Sequence, residues 1–133
     1  MAFTGARMVP GIDVVIEATN LAGKMKGASL VFTGEGRIDS QTSYGKTAVG
    51  VARMASQFGI PVIAIAGEIG SGYPAVYQEG VDAVFSIAPG PITYASCLQR
   101  GEVLVSDVAE RATRLFVSGL KRGYHEIDRG KSK

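Results

Sequence analysis

The sequence predicts an α/β fold, a three-layer Rossmann-like unit with a short, mainly parallel sheet and helices on both faces. Three apolar runs rich in β-branched residues lie at 29–34, 61–67 and 82–88. Each run is nearly continuous, which is typical of a strand buried on both faces. Because helical patterns separate the runs, the strands should be parallel and joined by right-handed crossovers.

Helices are predicted before, between and after these strands. Residues 9–27 should form one helix, from a proline suited to a first turn to a glycine that ends the pattern. Residues 43–59 and 73–80 supply the two crossover helices, and residues 102–123 form a long final helix. The apolar stripes consist of Ala48, Val51, Ala52, Ala55 and Phe58 in the first crossover helix, and of Val105, Val108, Ala109, Ala112, Leu115 and Phe116 in the final helix.

Composition indicates one globular domain. The chain has 133 residues, of which 46% are hydrophobic and 20% charged, and we assign 1–122 to an α/β domain and 123–133 to a polar basic tail. From Lys121 onward there are five basic and two acidic residues, which leaves 9 basic and 10 acidic residues elsewhere. This near balance argues against a basic surface for nucleic acid.

Cysteine content and hydropathy bear on the cellular setting. Cys97 is the only cysteine, so an intrachain disulfide is excluded. No window approaches the roughly 18 apolar residues of a membrane span, and the first residues lack the pattern of a signal peptide. We therefore expect a cytoplasmic protein without a nucleic-acid or membrane partner.

The segment Leu30–Thr47, LVFTGEGRIDSQTSYGKT, contains most of the polar chemistry. Its Gly-Lys-Thr ending suggests a Walker A loop, but Ser40 stands where that loop requires its first glycine. The dinucleotide fingerprint G-x-G-x-x-G fits at Gly34 and Gly36 and fails at Asp39. Neither general phosphate-binding motif therefore applies.

The position and composition of this segment still favour a ligand site. Residues 35–46 should form a loop at the carboxyl end of a parallel strand, where α/β proteins bind ligands. Glu35, Arg37 and Asp39 alternate, so an extended backbone would place them on one side. Two carboxylates can hold Mg²⁺ or accept a proton, and arginine can bind phosphate or carboxylate, which suits phosphoryl transfer.

A structural interpretation of the same residues remains open. Arg37 could pair only with neighbouring side chains, while Asp39, Ser40, Thr42 or Ser43 caps the next helix. Lys46 in the first turn of that helix is unfavourable beside the helix dipole, which favours a ligand role for it.

One block identifies a family resemblance. TGEGRIDSQT at 33–42, followed by Gly-Lys, PVIAIAGEIG and GVDAVFSI, resembles the C-terminal portion of the bacterial type I glycerate kinase family. The likeness extends from about Pro10 to about Leu120. It implies a two-domain α/β enzyme that uses ATP and Mg²⁺ to phosphorylate a hydroxyl of glycerate, giving phosphoglycerate.

The resemblance also implies the residues of the site. Catalytic roles are expected for Asp39 as metal ligand or general base and for Arg37 and Lys46 as stabilisers of phosphate or carboxylate charge. Mg²⁺ is assigned to Glu35 and Asp39. Substrate- or nucleotide-binding roles fall to Gly34, Glu35, Gly36, Ser40, Gln41, Thr42 and Gly67.

Two family segments, of the Asp-Ser-Phe-Lys and Asp-Gly-Gly-Glu-Gly types, do not occur in this sequence. We therefore interpret the chain as a fragment, and two alternatives to an enzyme stay open. It could be a nucleotide- or anion-binding module without turnover. It could also be a module that forms a homo-oligomer through an open edge of its sheet.

Overall fold

The computed structural model describes residues 11–44 and 47–130, with side chains described as far as residue 122. The chain divides into two compact units between Phe85 and Ser86. The assignment of 1–122 to one domain and 123–133 to a tail stays a prediction. The elements follow in the order α1 (Gly11–Ala18), α2 (Leu21–Met25), β1 (Val31–Ile38), α3 (Thr47–Ser56), β2 (Val62–Ile69), a 3₁₀ helix (Tyr73–Glu79), β3 (Ala83–Ser86), α4 (Tyr94–Gln99) and α5 (Gly101–Gly130).

The three strands form one parallel sheet in the order β1-β2-β3, which confirms the predicted α/β class. In the register of β1 and β2, Val31 pairs with Val62 and Ile38 pairs with Ile69. The central strand β2 is buried on both faces over 62–66, as its continuous apolar run predicted. For the edge strands β1 and β3 that prediction was wrong. The residues of β1 before Ile38 are half-buried or exposed, and those of β3 are all half-buried.

The core of the first unit lies between β2 and α3. The β2 side chains that face it are small and fully buried, and α3 meets them with Val49, Ala52 and Ala55, which are also fully buried. Small side chains on both sides let the helix approach the sheet at interior packing density. The predicted helix stripe is therefore confirmed at Ala52 and Ala55. At Phe58 it was wrong, since α3 ends at Ser56 and Phe58 is exposed.

The predicted single helix over 9–27 is instead two helices, and residues 9 and 10 lie outside the described part. The break occurs at Asn20, whose backbone is left-handed, with φ of 50°. Asparagine tolerates this conformation, and its side chain accepts a hydrogen bond from the Gly23 backbone N–H at 3.3 Å, which begins α2. The predicted stop at Gly27 agrees with its φ of +82°.

The helical segments after β2 lie where the sequence predicts them, except that α5 continues to Gly130 and does not end at residue 123. The short crossover helix is a 3₁₀ helix, and it ends as predicted at Gly80, with φ of +96°. In α5 the buried stripe is formed by Leu104, Val108 and Ala112. Val105 and Leu115, which were expected on that stripe, are exposed, because the buried positions recur every four residues from Leu104. Among the described residues, no helix combines the length and apolar character needed to span a membrane.

Candidate functional site

The strand β1 continues four residues beyond the end that its apolar run predicted. Glu35, Gly36 and Arg37 belong to the strand, so the expectation of a loop beginning at residue 35 was wrong. The partner strand explains the extension. Because β2 continues to Ile69, the backbone of β1 has pairing partners as far as Ile38. The polar residues are therefore held in a sheet rather than in a free loop.

The turns that follow β1 and β2 interlock at the carboxyl ends of the two strands. Gly70 N–H donates to the Ile38 carbonyl at 2.7 Å, and Ser40 N–H donates to the Ser71 carbonyl at 3.0 Å. A Cβ at Gly72, where φ is +73°, would lie 2.8 Å from the Ser40 Cβ. Only glycine permits both this conformation and this approach. The two turns are therefore fixed relative to each other.

Asp39 makes four hydrogen bonds, and its carbonyl accepts one of them from Thr42 N–H at 3.0 Å. Its Oδ1 accepts from Gln41 N–H at 2.9 Å, and its Oδ2 accepts from Arg37 Nε at 3.0 Å. Its backbone N–H donates to Thr42 Oγ1 at 3.0 Å. The structural interpretation is thus partly realised, although Asp39 caps this turn and not α3. The side chain of Asp39 is 18% exposed, so solvent reaches part of it.

Thr42 stabilises the turn after β1. It is fully buried, and its hydroxyl oxygen accepts a hydrogen bond from the Asp39 backbone N–H. A buried hydroxyl with a hydrogen-bond partner stabilises the backbone around it. Thr42 therefore positions Asp39, whereas a direct contact with a ligand stays a prediction. Ligand contacts of Ser40 and Gln41, which are exposed at the surface of the turn, also stay predictions.

Arg37 lies between two carboxylates contributed by different segments. Its Nε is 3.0 Å from Asp39 Oδ2, and its Nη1 is 3.2 Å from Glu68 Oε1 on β2. Glu68 was not singled out from the sequence. The parallel register could have identified it, because pairing Val31 with Val62 sets Arg37 directly opposite Glu68. The structure therefore brings Arg37 and Asp39 together as expected and adds a third charged group.

Glu35 points to the beginning of α3. Its Oε1 accepts a hydrogen bond from Ala48 N–H at 3.3 Å, within the first turn of that helix. A carboxylate is favourable at a helix N-terminus because unpaired N–H groups and the helix dipole concentrate positive charge there. Gly45 and Lys46, which precede α3, lie outside the described residues.

The glycines of this region differ in how much space surrounds them. A Cβ on Gly67 would lie 2.7 Å from the Gly36 carbonyl oxygen, and one on Gly34 would lie 3.4 Å from the Ile65 carbonyl oxygen. A Cβ on Gly36 would meet nothing within 4 Å. Gly67 is therefore needed for the approach of β1 to β2. Binding roles for the three glycines stay predictions.

The carboxylates fit the chemistry of a magnesium site only in part. Mg²⁺ is commonly held by one or two carboxylates, with water and substrate phosphate completing its coordination. Glu35 and Asp39 supply suitable oxygens, although in this structure those oxygens are hydrogen-bonded to Ala48, Gln41 and Arg37. Among the described side chains, no group of three or more His, Cys, Asp or Glu residues is placed to hold a metal ion.

A shallow cavity of about 550 Å³ borders the end of the turn after β1, at Ser43 and Tyr44. Its polar lining includes the ion pair between Arg53 Nη2 and Glu79 Oε2, at 2.6 Å. The 3₁₀ helix beside it contains Tyr73 and Tyr77 with their rings edge to face, 6.0 Å apart. Burial, followed by the neighbouring Tyr73, raises the pKa of Tyr77. The cavity is lined by Ser43, Tyr44, Arg53, Ala75, Gln78 and Glu79.

These features define an α/β protein with an arginine between two carboxylates at the carboxyl ends of its strands. In phosphoryl-transfer enzymes, basic groups of this kind bind anions and carboxylates bind cations. The model of the family described as "Glycerate kinase family" matches residues 1–117. The chain belongs to the glycerate kinase family, which confirms the resemblance inferred from the sequence.

Individual relatives agree with this membership. The chain is 49% identical over 109 residues to a glycerate kinase of Halalkalibacterium halodurans, a match that covers 82% of this chain and 29% of that protein. It is 41% identical over 121 residues to a glycerate kinase of Bacillus subtilis, covering 91% of this chain and 31% of that protein. The chain thus spans about a third of the length of these relatives, and it matches their C-terminal portion.

A solved structure supports the fold. A crystal structure from Salmonella typhimurium LT2, described provisionally as glycerate kinase 2, superposes with a TM-score of 0.67 at 38% sequence identity. The superposition covers 90% of this chain and 30% of that one. The fold described above therefore resembles that of the corresponding part of this solved structure.

Proposed function

We propose that this chain forms part of a glycerate kinase, which transfers a phosphoryl group from ATP to a hydroxyl of glycerate and produces phosphoglycerate. The observation that carries the proposal is the arrangement of Arg37, Asp39 and Glu68 at the carboxyl ends of β1 and β2. It combines the charges that phosphoryl transfer needs in a chain that matches the family over residues 1–117.

The turn after β1 gives each proposed catalytic residue a defined task. Asp39, oriented by Gln41 N–H and Thr42, presents its carboxylate as a metal ligand or as the base that accepts the hydroxyl proton of glycerate. Arg37 and Lys46 stabilise negative charge on phosphate or on the glycerate carboxylate. A preorganised carboxylate is useful here because it need not be reoriented during the reaction.

Glu35 and Asp39 would hold the Mg²⁺ that accompanies ATP. Mg²⁺ bound there would supply positive charge to offset the negative charge of the phosphate groups. Glu35 would exchange its hydrogen bond to Ala48 N–H for this ligand, a contact of 3.3 Å that is readily given up. Around these residues, backbone groups of Gly34, Gly36, Ser40, Gln41 and Gly67 are proposed to line the nucleotide and glycerate.

The activity can be tested in a chimera with a relative. The 109 matching residues of the Halalkalibacterium halodurans protein would be replaced by those of this chain, and ADP release would be coupled to a spectrophotometric readout. We expect ADP release that requires D-glycerate and Mg²⁺. A chimera that is folded by circular dichroism but releases no ADP with D-glycerate would contradict the proposal.

Direct binding to the 133-residue chain supplies a second, independent measurement. Titration calorimetry with Mg-ATP and with D-glycerate would show which ligand this part of the kinase binds. Binding of Mg-ATP by the chain, together with turnover in the chimera, is the expected pair of results. Binding by the chain together with a folded but inactive chimera would favour the alternative of a binding module without turnover.

A further inference from the structure

The guanidinium of Arg37 lies between two carboxylates. Its side edge consists of Nε and Nη2, and Nε already donates to Asp39 Oδ2 at 3.0 Å. Its end edge consists of Nη1 and Nη2, and Nη1 is 3.2 Å from Glu68 Oε1. Arginine recognises phosphate and carboxylate best through two parallel hydrogen bonds. An anion on the side edge must therefore displace Asp39, whereas an anion on the end edge displaces only the ion contact with Glu68.

Glu68 is the carboxylate that can leave. Its side chain is 62% exposed and makes the longer contact, whereas that of Asp39 is only 18% exposed. Asp39 is also held by Gln41 N–H, and its backbone is bonded to the buried Thr42. An exposed ion pair is worth little free energy, so the Arg37–Glu68 contact can be exchanged at small cost.

The displaced carboxylate nevertheless remains beside the anion. Glu68 is fixed to β2 opposite Arg37, so a phosphate on the end edge of Arg37 would face a negative charge a few ångströms away. Arg37, Asp39 and Glu68 together already carry one positive and two negative charges. A free anion therefore adds repulsion, whereas an anion that arrives with a divalent cation offers Glu68 a new partner.

We propose that Glu68 is a specificity-determining residue that makes this site bind the metal complex of a polyphosphate in preference to the metal-free anion. The inference rests on the proposed function and adds to it the form of the nucleotide that is recognised. The mechanism is repulsive: Glu68 weakens the binding of the wrong form more than it strengthens the binding of the right one.

The test compares two affinities in the 133-residue chain and in its Glu68→Gln variant. ATP would be titrated by calorimetry once with excess Mg²⁺ and once with EDTA. Removing a like charge at this distance should increase the affinity for metal-free ATP by roughly three- to tenfold. The affinity for Mg-ATP should change by no more than about twofold, so the preference for the metal complex shrinks in the variant.

Two further variants separate this role from a general loss of charge. Glu68→Asp keeps the carboxylate and should retain the preference of the original chain. Glu110→Gln removes a carboxylate of similar exposure, 63% at the side chain, that pairs with Arg114 one turn along α5. That control should leave both affinities unchanged.

The outcomes distinguish this inference from the proposed function. If the chain binds Mg-ATP but Glu68→Gln leaves the ratio of the two affinities unchanged, the role of Glu68 is refuted and the kinase proposal stands. If Glu110→Gln changes the ratio as much as Glu68→Gln, the effect belongs to net charge and the inference fails. If the original chain binds neither form of ATP, nucleotide binding by this part of the kinase is refuted, and the inference with it.

Discussion

Arg37 and Arg114 make similar contacts in different surroundings. Arg114 Nη2 is 2.8 Å from Glu110 Oε1 on the same face of α5, with side chains 76% and 63% exposed. Arg37 makes a contact of 3.0 Å with Asp39, and it also reaches Glu68 on another strand. The α5 pair is made within one helix, whereas the Arg37 cluster needs two strands and the turn after β1.

The difference lies in what each arrangement depends on. The pair on α5 follows from the helical period, which places residues four apart on one face, and such pairs contribute about 0.3–0.5 kcal/mol. The cluster at the strand ends depends on the sheet register, on the buried Thr42 and on glycines that let the chains approach. We therefore expect substitutions at the strand ends to have large effects and those on α5 to have small ones.

The largest effect is expected for Asp39→Asn, measured as turnover in the chimera described above. Asparagine keeps an oxygen that can accept from Gln41 N–H, but it loses the charge needed for a metal ion or a proton. We expect kcat/KM to fall by about 100-fold or more. Asp107→Asn, on α5, is the matched control and should stay within about twofold of the parent. Turnover of the Asp39→Asn form within a few-fold of the parent would exclude the proposed role.

The second largest effect is a loss of stability expected at Gly67, where β2 lies close to β1. Gly67→Ala would place a Cβ 2.7 Å from the Gly36 carbonyl oxygen, so the sheet must shift. We expect the free energy of unfolding, measured by urea titration, to fall by about 1–3 kcal/mol. Gly36→Ala is the control, because its Cβ meets nothing within 4 Å. It should be neutral or slightly stabilising, and equal losses in both variants would contradict the close approach.

A similar loss of stability is expected when the hydroxyl of Thr42, which accepts from the Asp39 backbone N–H, is removed. Thr42→Val keeps the shape of a fully buried side chain but leaves the Asp39 N–H without its acceptor. The unpaired donor should cost about 1–3 kcal/mol in urea unfolding. Thr42→Ser retains the hydroxyl and should cost less than the valine variant. The reverse order would mean that packing of the methyl group, rather than the hydrogen bond, supports the turn.

The smallest effect is expected on α5. Glu110→Gln removes the local pair with Arg114, and the free energy of unfolding should change by less than about 0.5 kcal/mol. A loss of 1 kcal/mol or more in urea unfolding would show that this pair is coupled to other groups. In that case the contrast between the two arginines would no longer hold.

Much of this protein was predictable from short stretches of sequence. The continuous apolar runs predicted three strands, and the glycine after residue 79 predicted the end of the short crossover helix. The block TGEGRIDSQT indicated the family that the comparisons confirm. These features depend on backbone conformation or on a contiguous motif, so neighbouring residues carry enough information to identify them.

The sequence by itself thus determined the alternation of strands and crossover helices, the α/β class and the family. Only the tertiary structure decided that β1 continues to Ile38, that it lies at an edge of the sheet, and that Glu68 faces Arg37. The physical reason is that strand length, burial and cross-strand pairs are set by a partner strand distant in the chain. No local pattern in residues 35–39 specifies which residue of that partner will stand opposite.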